Sequence, residues 1–261
     1  MGFQPGLPWS LAGLLALPLV VFPGPPLPAA ELAAIQARGH LVVAVKDNVR
    51  PLGFRDAAGQ LQGFEIDLAR QLALELLGDA AAVELRPVSN AERLPAVLRG
   101  DVDLAIARLT ATPARARRVD FSRPYYLDGT GFVTRQTGGQ RLGDLAQARV
   151  LVLERSSTIA VVRQALPQAQ LVGVASYQAA LAQLEAGQAA AFAADRSVLA
   201  GWVQAYPQYQ LLPSRLEGTA LAIALPRGLQ HVELWREVNA AIARWQASGW
   251  LQARRDHWGL P

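Results

Sequence analysis

The sequence predicts an α/β protein in which helices cover parallel sheets. Between residues 31 and 107, short apolar runs alternate with stretches of helical periodicity, in the order helix and then β-α-β-α-β. A second alternation of the same kind begins after Asp128-Gly129-Thr130. Parallel strands need crossover connections, and helices supply them. With 261 residues, of which 51% are hydrophobic, the chain is long enough for one or two packed domains.

The first alternation predicts a three-stranded parallel sheet and its connecting helices. Its elements are strands at 41–45, 83–88 and 101–107, and helices at 31–38, 65–77 and 92–98. Residues 46–56 contain many turn-forming residues and are predicted to be a loop. Ligands bind beyond the carboxyl ends of the strands in such sheets, so the segments that follow the strands are the first candidates for a site.

The second alternation predicts another α/β unit of similar size. Its elements are helices at 142–148, 159–165, 176–186 and 195–202, and strands at 150–153, 170–174 and 189–194. Asp128-Gly129-Thr130 is predicted to be a hinge between the units, because glycine provides backbone freedom. An amphipathic helix at 232–246 follows near the end of the chain.

A candidate anion site follows the third strand. Thr110 and Thr112 offer hydroxyl groups, and Thr112 precedes a proline, which is a helix-start signal. Free backbone N–H groups and the helix dipole at such a place favour negative charge. Arg115 could add a bidentate contact to a carboxylate. The alternative is that Arg115 belongs to a solvated helix face, since Arg117 and Arg118 lie nearby.

Two further helix starts in the second alternation carry polar residues. Ser157 and Thr158 begin one helix, and Asp195 stands where a buried strand ends and the next helix begins. Serine, threonine and aspartate at such junctions are common N-caps. For Ser157 and Thr158, a cap has the same geometry as an anion site, so both roles can hold. From the pattern alone, Asp195 is more often a cap than a ligand contact.

The motifs of the chain resemble one known family along residues 39–260. GDVDLAIARLTATPARARRVDFSRPYY resembles the signature D-x-x-x-x-x-x-T-x-T-x-x-R…V-D-F-S-x-P-Y-Y. VKDNVRPLGFRDAAGQLQGFEIDLARQLALELLG resembles the opening motif of the same family, and the end of the chain resembles its closing S-G-x-[LW]…W-G-L. The family is that of the family 3 extracytoplasmic solute-binding proteins, the polar-amino-acid receptors of bacterial ABC importers.

The resemblance implies a two-lobe periplasmic-binding-protein type II fold with two hinge crossings. Lobe 1 would comprise 31–127 plus 221–261, and lobe 2 would comprise 128–220. The fold implies reversible capture of an amino acid by lobe closure and its delivery to a membrane permease of an ABC transporter. We expect a monomer.

The same resemblance assigns the ligand contacts. Thr110, Thr112 and Arg115 would hold the α-carboxylate of the ligand, and Asp195 would accept its α-ammonium. Ser157 and Thr158 would contact the carboxylate from the opposite lobe. For Asp195, the resemblance favours the ligand over the cap.

Three positions bear on the side chain of the ligand. Arg93 lies in a step that resembles S-x-x-R-I-P, where the arginine faces the cleft. Leu52 and its neighbour Val49 are aliphatic where the family often has an aromatic wall. Arg108 stands where the family usually has a small residue, and it could pair with an acidic ligand or with an internal Asp or Glu, the internal pair being favoured. We expect an acidic or polar amino acid as the ligand.

The first 30 residues predict export. They carry no charged side chain and include the apolar run LAGLLALPLVVF, which is too short for a good membrane span and resembles a signal peptide cleaved near Ala30. No Lys or Arg precedes the run, and a retained anchor is the alternative. The expected location is the periplasm.

Composition and spacing argue against several other classes. Cysteine is absent, and the three histidines have no metal-ligand spacing, so we expect neither a metal nor another cofactor. The net charge is +4, but no Lys/Arg run with interleaved aromatics indicates nucleic-acid binding. No nucleophile motif is present, and we expect no enzymatic activity. The alternative is a periplasmic arogenate/cyclohexadienyl-type dehydratase on the same fold.

Overall fold

The computed structural model describes residues 1–2, 31–154 and 156–261. The predicted signal peptide therefore lies outside the described residues, apart from Met1 and Gly2. None of the helices within the described residues combines the length and the hydropathy of a membrane-spanning segment. The strands are Leu41–Val45 (β1), Asn48–Val49 (β2), Gly53–Arg55 (β3), Leu61–Gln62 (β4), Val83–Pro87 (β5), Leu104–Ile106 (β6), Asp120–Phe121 (β7), Tyr126–Arg135 (β8), Arg149–Leu153 (β9), Gln170–Val174 (β10), Ala191–Asp195 (β11), Tyr209–Leu211 (β12), Leu216–Leu221 (β13) and Ala224–Leu225 (β14).

Helices lie between most of these strands. The α-helices are Leu32–Arg38 (α1), Phe64–Leu77 (α2), Arg93–Arg99 (α3), Pro113–Ala116 (α4), Thr158–Ala165 (α5), Tyr177–Glu185 (α6), Arg196–Ala205 (α7), Val232–Ala247 (α8) and Trp250–His257 (α9). Short 3₁₀ helices are Leu142–Leu145 and Leu229–His231. The prediction of a helix over 142–148 is therefore wrong in type and length, because the segment forms only a short 3₁₀ helix.

The first sheet has the strand order β5-β1-β6-β14-β7. β1 pairs in parallel with β5 and β6, as the β-α-β-α-β pattern predicts, and β14 returns antiparallel to β6 and β7. All five residues of β1 are buried, which explains their continuous apolar run. One face of the sheet packs against α2 and α8 in the largest apolar cluster among the described residues.

The segment predicted to be a loop at 46–56 contains two strands of a small antiparallel sheet. β2, β3 and β4 form an antiparallel three-stranded sheet, so the loop prediction is wrong there. The turn between β3 and β4 is held by Asp56, whose Oδ1 accepts hydrogen bonds from the backbone N–H groups of Ala58 and Gln60. Strands of two or three residues leave too short a pattern for sequence periodicity to detect.

The second large sheet has the order β10-β9-β11-β8-β12, and β13 also pairs with β8. β9, β10 and β11 are parallel, while β8 runs antiparallel to β11, β12 and β13. Separate apolar clusters lie on the two faces of this sheet. The two large sheets therefore have separate cores.

The chain passes between the two large sheets on paired strands. Asp128-Gly129-Thr130, predicted to be a hinge, lies inside β8, and Gly129 pairs with Gly218 of β13. Ala222 then donates its backbone N–H to Leu109, beside the first sheet. The crossing is therefore a two-stranded ribbon, in which backbone pairing restricts the freedom that the glycine was expected to provide.

Helix α7, which packs on the second large sheet, also contacts two segments outside that sheet: the turn between β2 and β3, and the residue that follows α9. A Cβ atom added at Gly201 of α7 would lie 2.3 Å from the backbone oxygen of Arg50. Further along, the side-chain amide of Gln204 donates to the backbone oxygen of Trp258 at 2.8 Å. The absence of a side chain at Gly201 allows this close approach.

Substitution Gly201→Ala is expected to separate the two parts of the chain at this contact. Alanine normally stabilises a helix interior relative to glycine by about 1 kcal/mol, but overpacking costs about 1–3 kcal/mol. We expect about a tenfold loss of ligand affinity, measured by calorimetric titration, since closure would be hindered. Gly143→Ala is the control, because an added Cβ there meets no atom within 4 Å. An unchanged affinity in Gly201→Ala would show that closure does not need this contact.

Candidate functional site

Thr112 begins a helix, as its position before a proline predicts. It is the N-cap of α4, and its Oγ1 accepts the backbone N–H of Arg115 at 3.4 Å. Nη1 of Arg115 donates to the backbone oxygen of Thr110 at 2.9 Å. Helix α4 has only four residues, so its dipole is weaker than the sequence interpretation assumed. The groups of this segment that could bind an anion are therefore the two threonine hydroxyls and the guanidinium of Arg115.

Arg115 differs from its basic neighbours in burial. It is half-buried, whereas Arg117 and Arg118 are exposed. The alternative that Arg115 is one more cation on a solvated face is therefore the weaker interpretation.

Arg108 adopts a left-handed backbone conformation, with φ at +51°. A non-glycine residue in this region carries strain, and such residues cluster at ligand sites. Its backbone N–H donates to Oε1 of Glu65 at 2.7 Å, and its backbone oxygen accepts from Nη1 of Arg93 at 2.6 Å. The two charged side chains hold the backbone of Arg108 from both sides.

Arg93 is directed at the backbone of the site. It is 8% exposed, and Nη1 also donates to the backbone oxygen of Ala107 at 2.8 Å. Burial lowers the pKa of the Arg93 guanidinium to about 10, and the cations Arg108 and Arg115 act in the same direction. The predicted role of Arg93, contact with the side chain of the ligand, is less well supported than a role in positioning Arg108.

Two further buried ionisable residues, Glu65 and Lys46, lie close to these arginines. Oε1 of Glu65 accepts the hydroxyl of Tyr125 at 2.5 Å, while Oε2 is a buried oxygen without a hydrogen-bond partner among the described residues. Burial raises the pKa of Glu65, and its hydrogen bonds and the nearby arginines act against that rise. Lys46 donates to the backbone oxygen of Val88 at 2.7 Å, and burial, followed by the charge of Arg93, lowers its pKa.

Asp195 occupies the N-cap position of α7 without capping the helix through its side chain. Oδ1 of Asp128 instead accepts the backbone N–H of Ser197 at 3.1 Å, and Oδ2 of Asp128 accepts the hydroxyl of Ser197. The common interpretation of such an aspartate as a cap is therefore wrong here. The carboxylate of Asp195 is available for other contacts.

Arg108 and Asp195 meet across the space between the two large sheets. Nη2 of Arg108 lies 3.2 Å from Oδ2 of Asp195. This is the internal ion pair that the sequence favoured for Arg108. Burial lowers the pKa of Arg108, but Asp195 and weaker nearby groups raise it by more, so the pKa of the guanidinium is raised overall.

The structure places the remaining candidates as follows. Ser157 is exposed at the N-cap position of α5 and makes no side-chain cap, which Ser156 provides by accepting the backbone N–H of Thr158 at 3.1 Å. Thr158 is buried. Leu52 is fully buried in the first core, and its backbone oxygen accepts the N–H of Glu65. The complete burial of the Leu52 side chain in this core argues against the ligand contact predicted for it.

Tyr177 lies close to Arg108 and Asp195, although no sequence pattern indicated it as a site residue. It is the first residue of α6, partly exposed, and its ring packs edge-on against Phe192 at 5.9 Å between centroids. Burial raises the pKa of its phenol, and the charge of Arg108 acts against this. Glu65 and Asp128 were also missed as site residues, because their partners lie far away in sequence.

The assembled groups can bind both charges of a small zwitterion. One side offers a guanidinium and two threonine hydroxyls, and the other offers the carboxylate of Asp195. In residues 31–154 and 156–261, no group of three or more His, Asp or Glu side chains is arranged to hold a metal ion. Two sheets with separate cores, joined by a two-stranded crossing and facing each other across a charged cleft, define a two-lobe periplasmic-binding-protein fold of type II.

The chain belongs to the bacterial extracellular solute-binding proteins, family 3, whose sequence model matches residues 41–261. It is 28% identical over 223 residues to the ABC transporter glutamine-binding protein GlnH of Bacillus subtilis (strain 168), covering 84% of this chain and 80% of that protein.

Two solved structures are similar along most of the chain. The solute receptor for L-cysteine of Neisseria gonorrhoeae has a TM-score of 0.69 and 30% identity, covering 89% of this chain and 94% of that one. An ancestral amino acid-binding protein, described as a precursor of cyclohexadienyl dehydratase, has a TM-score of 0.68 and 28% identity, covering 88% of this chain and 100% of that one. The family resemblance of the motifs is thus confirmed.

Proposed function

We propose that this protein captures an acidic or polar amino acid between its two lobes and delivers it to the membrane permease of an ABC transporter. The observation that carries the proposal is the placement of opposite charges on opposite sides of the cleft, with Arg115 on one side and Asp195 on the other. Names of the relatives support an amino acid as the ligand, since GlnH is a glutamine-binding protein and two solved relatives bind amino acids.

The proposed site divides the zwitterion between the lobes. Lobe 1, comprising 31–127 plus 221–261, would bind the α-carboxylate through Thr110, Thr112 and Arg115. Lobe 2, comprising 128–220, would supply Asp195 for the α-ammonium and Ser157 and Thr158 for the carboxylate. Each charge of the ligand is fully paired only when the lobes meet, so the ligand stabilises the closed state through its higher affinity for that state.

We further propose that the signal peptide is cleaved near Ala30, and that the mature chain acts in the periplasm as a monomer and has no enzymatic activity. Glu65 would be the obvious general acid for a dehydratase, because burial raises its pKa. Its side chain is 0% exposed, however, so neither the hydrogen-bonded Oε1 nor the unpartnered Oε2 presents a surface to a substrate. Incubation with arogenate and with prephenate should therefore leave the ultraviolet absorbance unchanged, and a steady rise from an aromatic product would favour the dehydratase alternative.

Thermal unfolding in the presence of single amino acids tests the proposed function. A ligand at 100 times its Kd stabilises the folded state by about 2.7 kcal/mol, which shifts the Tm by several degrees in a protein of this size. We expect such a shift with at least one acidic or polar amino acid, and none with an uncharged, non-zwitterionic analogue such as an N-acetyl amide. Absence of any shift across the common amino acids would contradict the proposal.

A further inference from the structure

The ion pair between Arg108 and Asp195 joins the two sides of the cleft. Arg108 follows β6 of the first sheet, and Asp195 ends β11 of the second. The distance between Nη2 and Oδ2 is 3.2 Å, and the two side chains are 24% and 34% exposed. This pair lies where the lobes must close on a ligand.

The backbone of Arg108 is fixed, which directs its guanidinium toward the other sheet. Its φ of +51° is unfavourable for a residue with a side chain. Glu65 accepts its N–H, and Arg93 donates to its backbone oxygen. Both of these side chains are buried, so the conformation is held by the protein interior rather than by solvent.

The fold does not use the carboxylate of Asp195 for its own support. Asp128 accepts the hydrogen bonds of Ser197 at the start of α7, which Asp195 would otherwise accept as the N-cap. The contact of Asp195 with Arg108 is therefore replaceable without loss of a helix cap.

Arg108 occupies the place on Asp195 that the proposed function gives to the α-ammonium of the ligand. An incoming ammonium must therefore displace the guanidinium. The displaced Arg108 would lie near two buried cations, Arg93 and Lys46, whose pKa values are both lowered by burial and by neighbouring positive charge. Partly buried charge of one sign is costly unless an anion pairs with it.

We propose that Arg108 and Asp195 exchange partners when the ligand binds: the ligand ammonium replaces the guanidinium on Asp195, and the freed guanidinium pairs with a carboxylate in the ligand's side chain. Arg108 is thus the residue that selects acidic amino acids over their amides. This inference rests on the proposed function. A neutral side chain leaves Arg108 with only the weaker attraction of the Asp128 and Glu65 carboxylates, and a cationic side chain adds a further positive charge.

Calorimetric titration of the wild-type protein with glutamate, aspartate, glutamine, asparagine and glutarate tests the exchange. We expect the better acidic amino acid to bind at least tenfold more tightly than its own amide. Glutarate has the two carboxylates but no ammonium, so it cannot take over Asp195, and we expect it to bind at least tenfold more weakly than glutamate.

Three variants test whether Arg108 causes the preference for the acidic amino acid over its amide. In Arg108→Gln the preference for acid over amide is expected to disappear, and amide binding should be kept or improved because no guanidinium competes for Asp195. Arg108→Lys should retain part of the preference, since it retains the charge. Arg118→Gln is the control, because that residue is an exposed arginine of the same segment, and its preference should equal that of the wild type.

The outcomes separate this inference from the proposed function. If glutamine binds as tightly as glutamate, or if Arg108→Gln keeps the acid preference, the exchange is refuted while amino-acid capture stands. If glutarate equals glutamate, the exchange is refuted together with the ammonium contact that the proposed function gives to Asp195. If no amino acid binds to the wild type, both fail. The wild-type comparison among ligands needs no variant, so poor folding of an Arg108 variant would not prevent a decision.

Discussion

Arg115→Ala is expected to weaken binding of the best amino-acid ligand by about 3 kcal/mol, or roughly a hundredfold in Kd. The guanidinium is half-buried and held over Thr110 by a hydrogen bond of 2.9 Å to its backbone oxygen. Its removal would leave the ligand carboxylate with hydroxyl groups but without a cation in a closed cleft. An unpaired charge of this kind is much more costly than a lost surface contact.

The measurement is calorimetric titration of wild type and variant under the same salt conditions. Arg118→Ala is the matched control, since it removes an exposed guanidinium three residues further along and should change Kd by less than about twofold. Arg115→Lys should fall between the two, because lysine keeps the charge but loses the bidentate geometry. Equal affinities in Arg115→Ala and Arg118→Ala would remove Arg115 from the site.

Asp128→Ala is expected to lower the free energy of unfolding by about 3 kcal/mol. Asp128 is 2% exposed, and its carboxylate accepts the backbone N–H of Gly129, the backbone N–H of Ser197 and the hydroxyl of Ser197. Each buried donor that loses its partner costs about 1–3 kcal/mol. Part of this cost is offset, because the substitution also removes the unfavourable burial of a carboxylate, the same burial that raises the pKa of Asp128. The loss would loosen α7 from the crossing strand β8.

Chemical denaturation monitored by circular dichroism measures this effect. Asp144→Ala provides the comparison, because Oδ2 of Asp144 also accepts two backbone N–H groups, those of Gln140 and Arg141, but at an exposed site. Water can replace the exposed acceptor, so we expect a loss of about 1 kcal/mol there. A similar loss in both variants would contradict the structural role given to Asp128.

The strands and helices of the two sheets were largely predictable because their signals are local. The apolar run of β1 and the helical spacing of α2 each specify an element within a dozen residues, and Gly78, a typical helix-ending residue, ends α2 in the left-handed conformation. The two-residue strands β2 and β4 give no such signal. Nor does β8, whose partners β11, β12 and β13 lie about 55 to 95 residues later in the chain.

The candidate site shows the same division between local and distant information. Thr112 as a helix cap follows from its own neighbourhood in sequence, and the structure agrees. The role of Asp195 does not, because a residue in a crossing strand, Asp128, takes over the cap of α7. Arg93 likewise turned out to bind the backbone of the loop at Arg108, a contact between residues fifteen positions apart.

By itself, the sequence determined the class of fold, the order of its elements and the family, because hydrophobic periodicity and turn chemistry act over a few residues and the motifs stand in register along the chain. Only the tertiary structure decided which charges face each other. The pairing of Arg108 with Asp195 and the release of Asp195 from capping depend on how two separately formed sheets are placed, and electrostatic partners are chosen by distance in space rather than by distance along the chain.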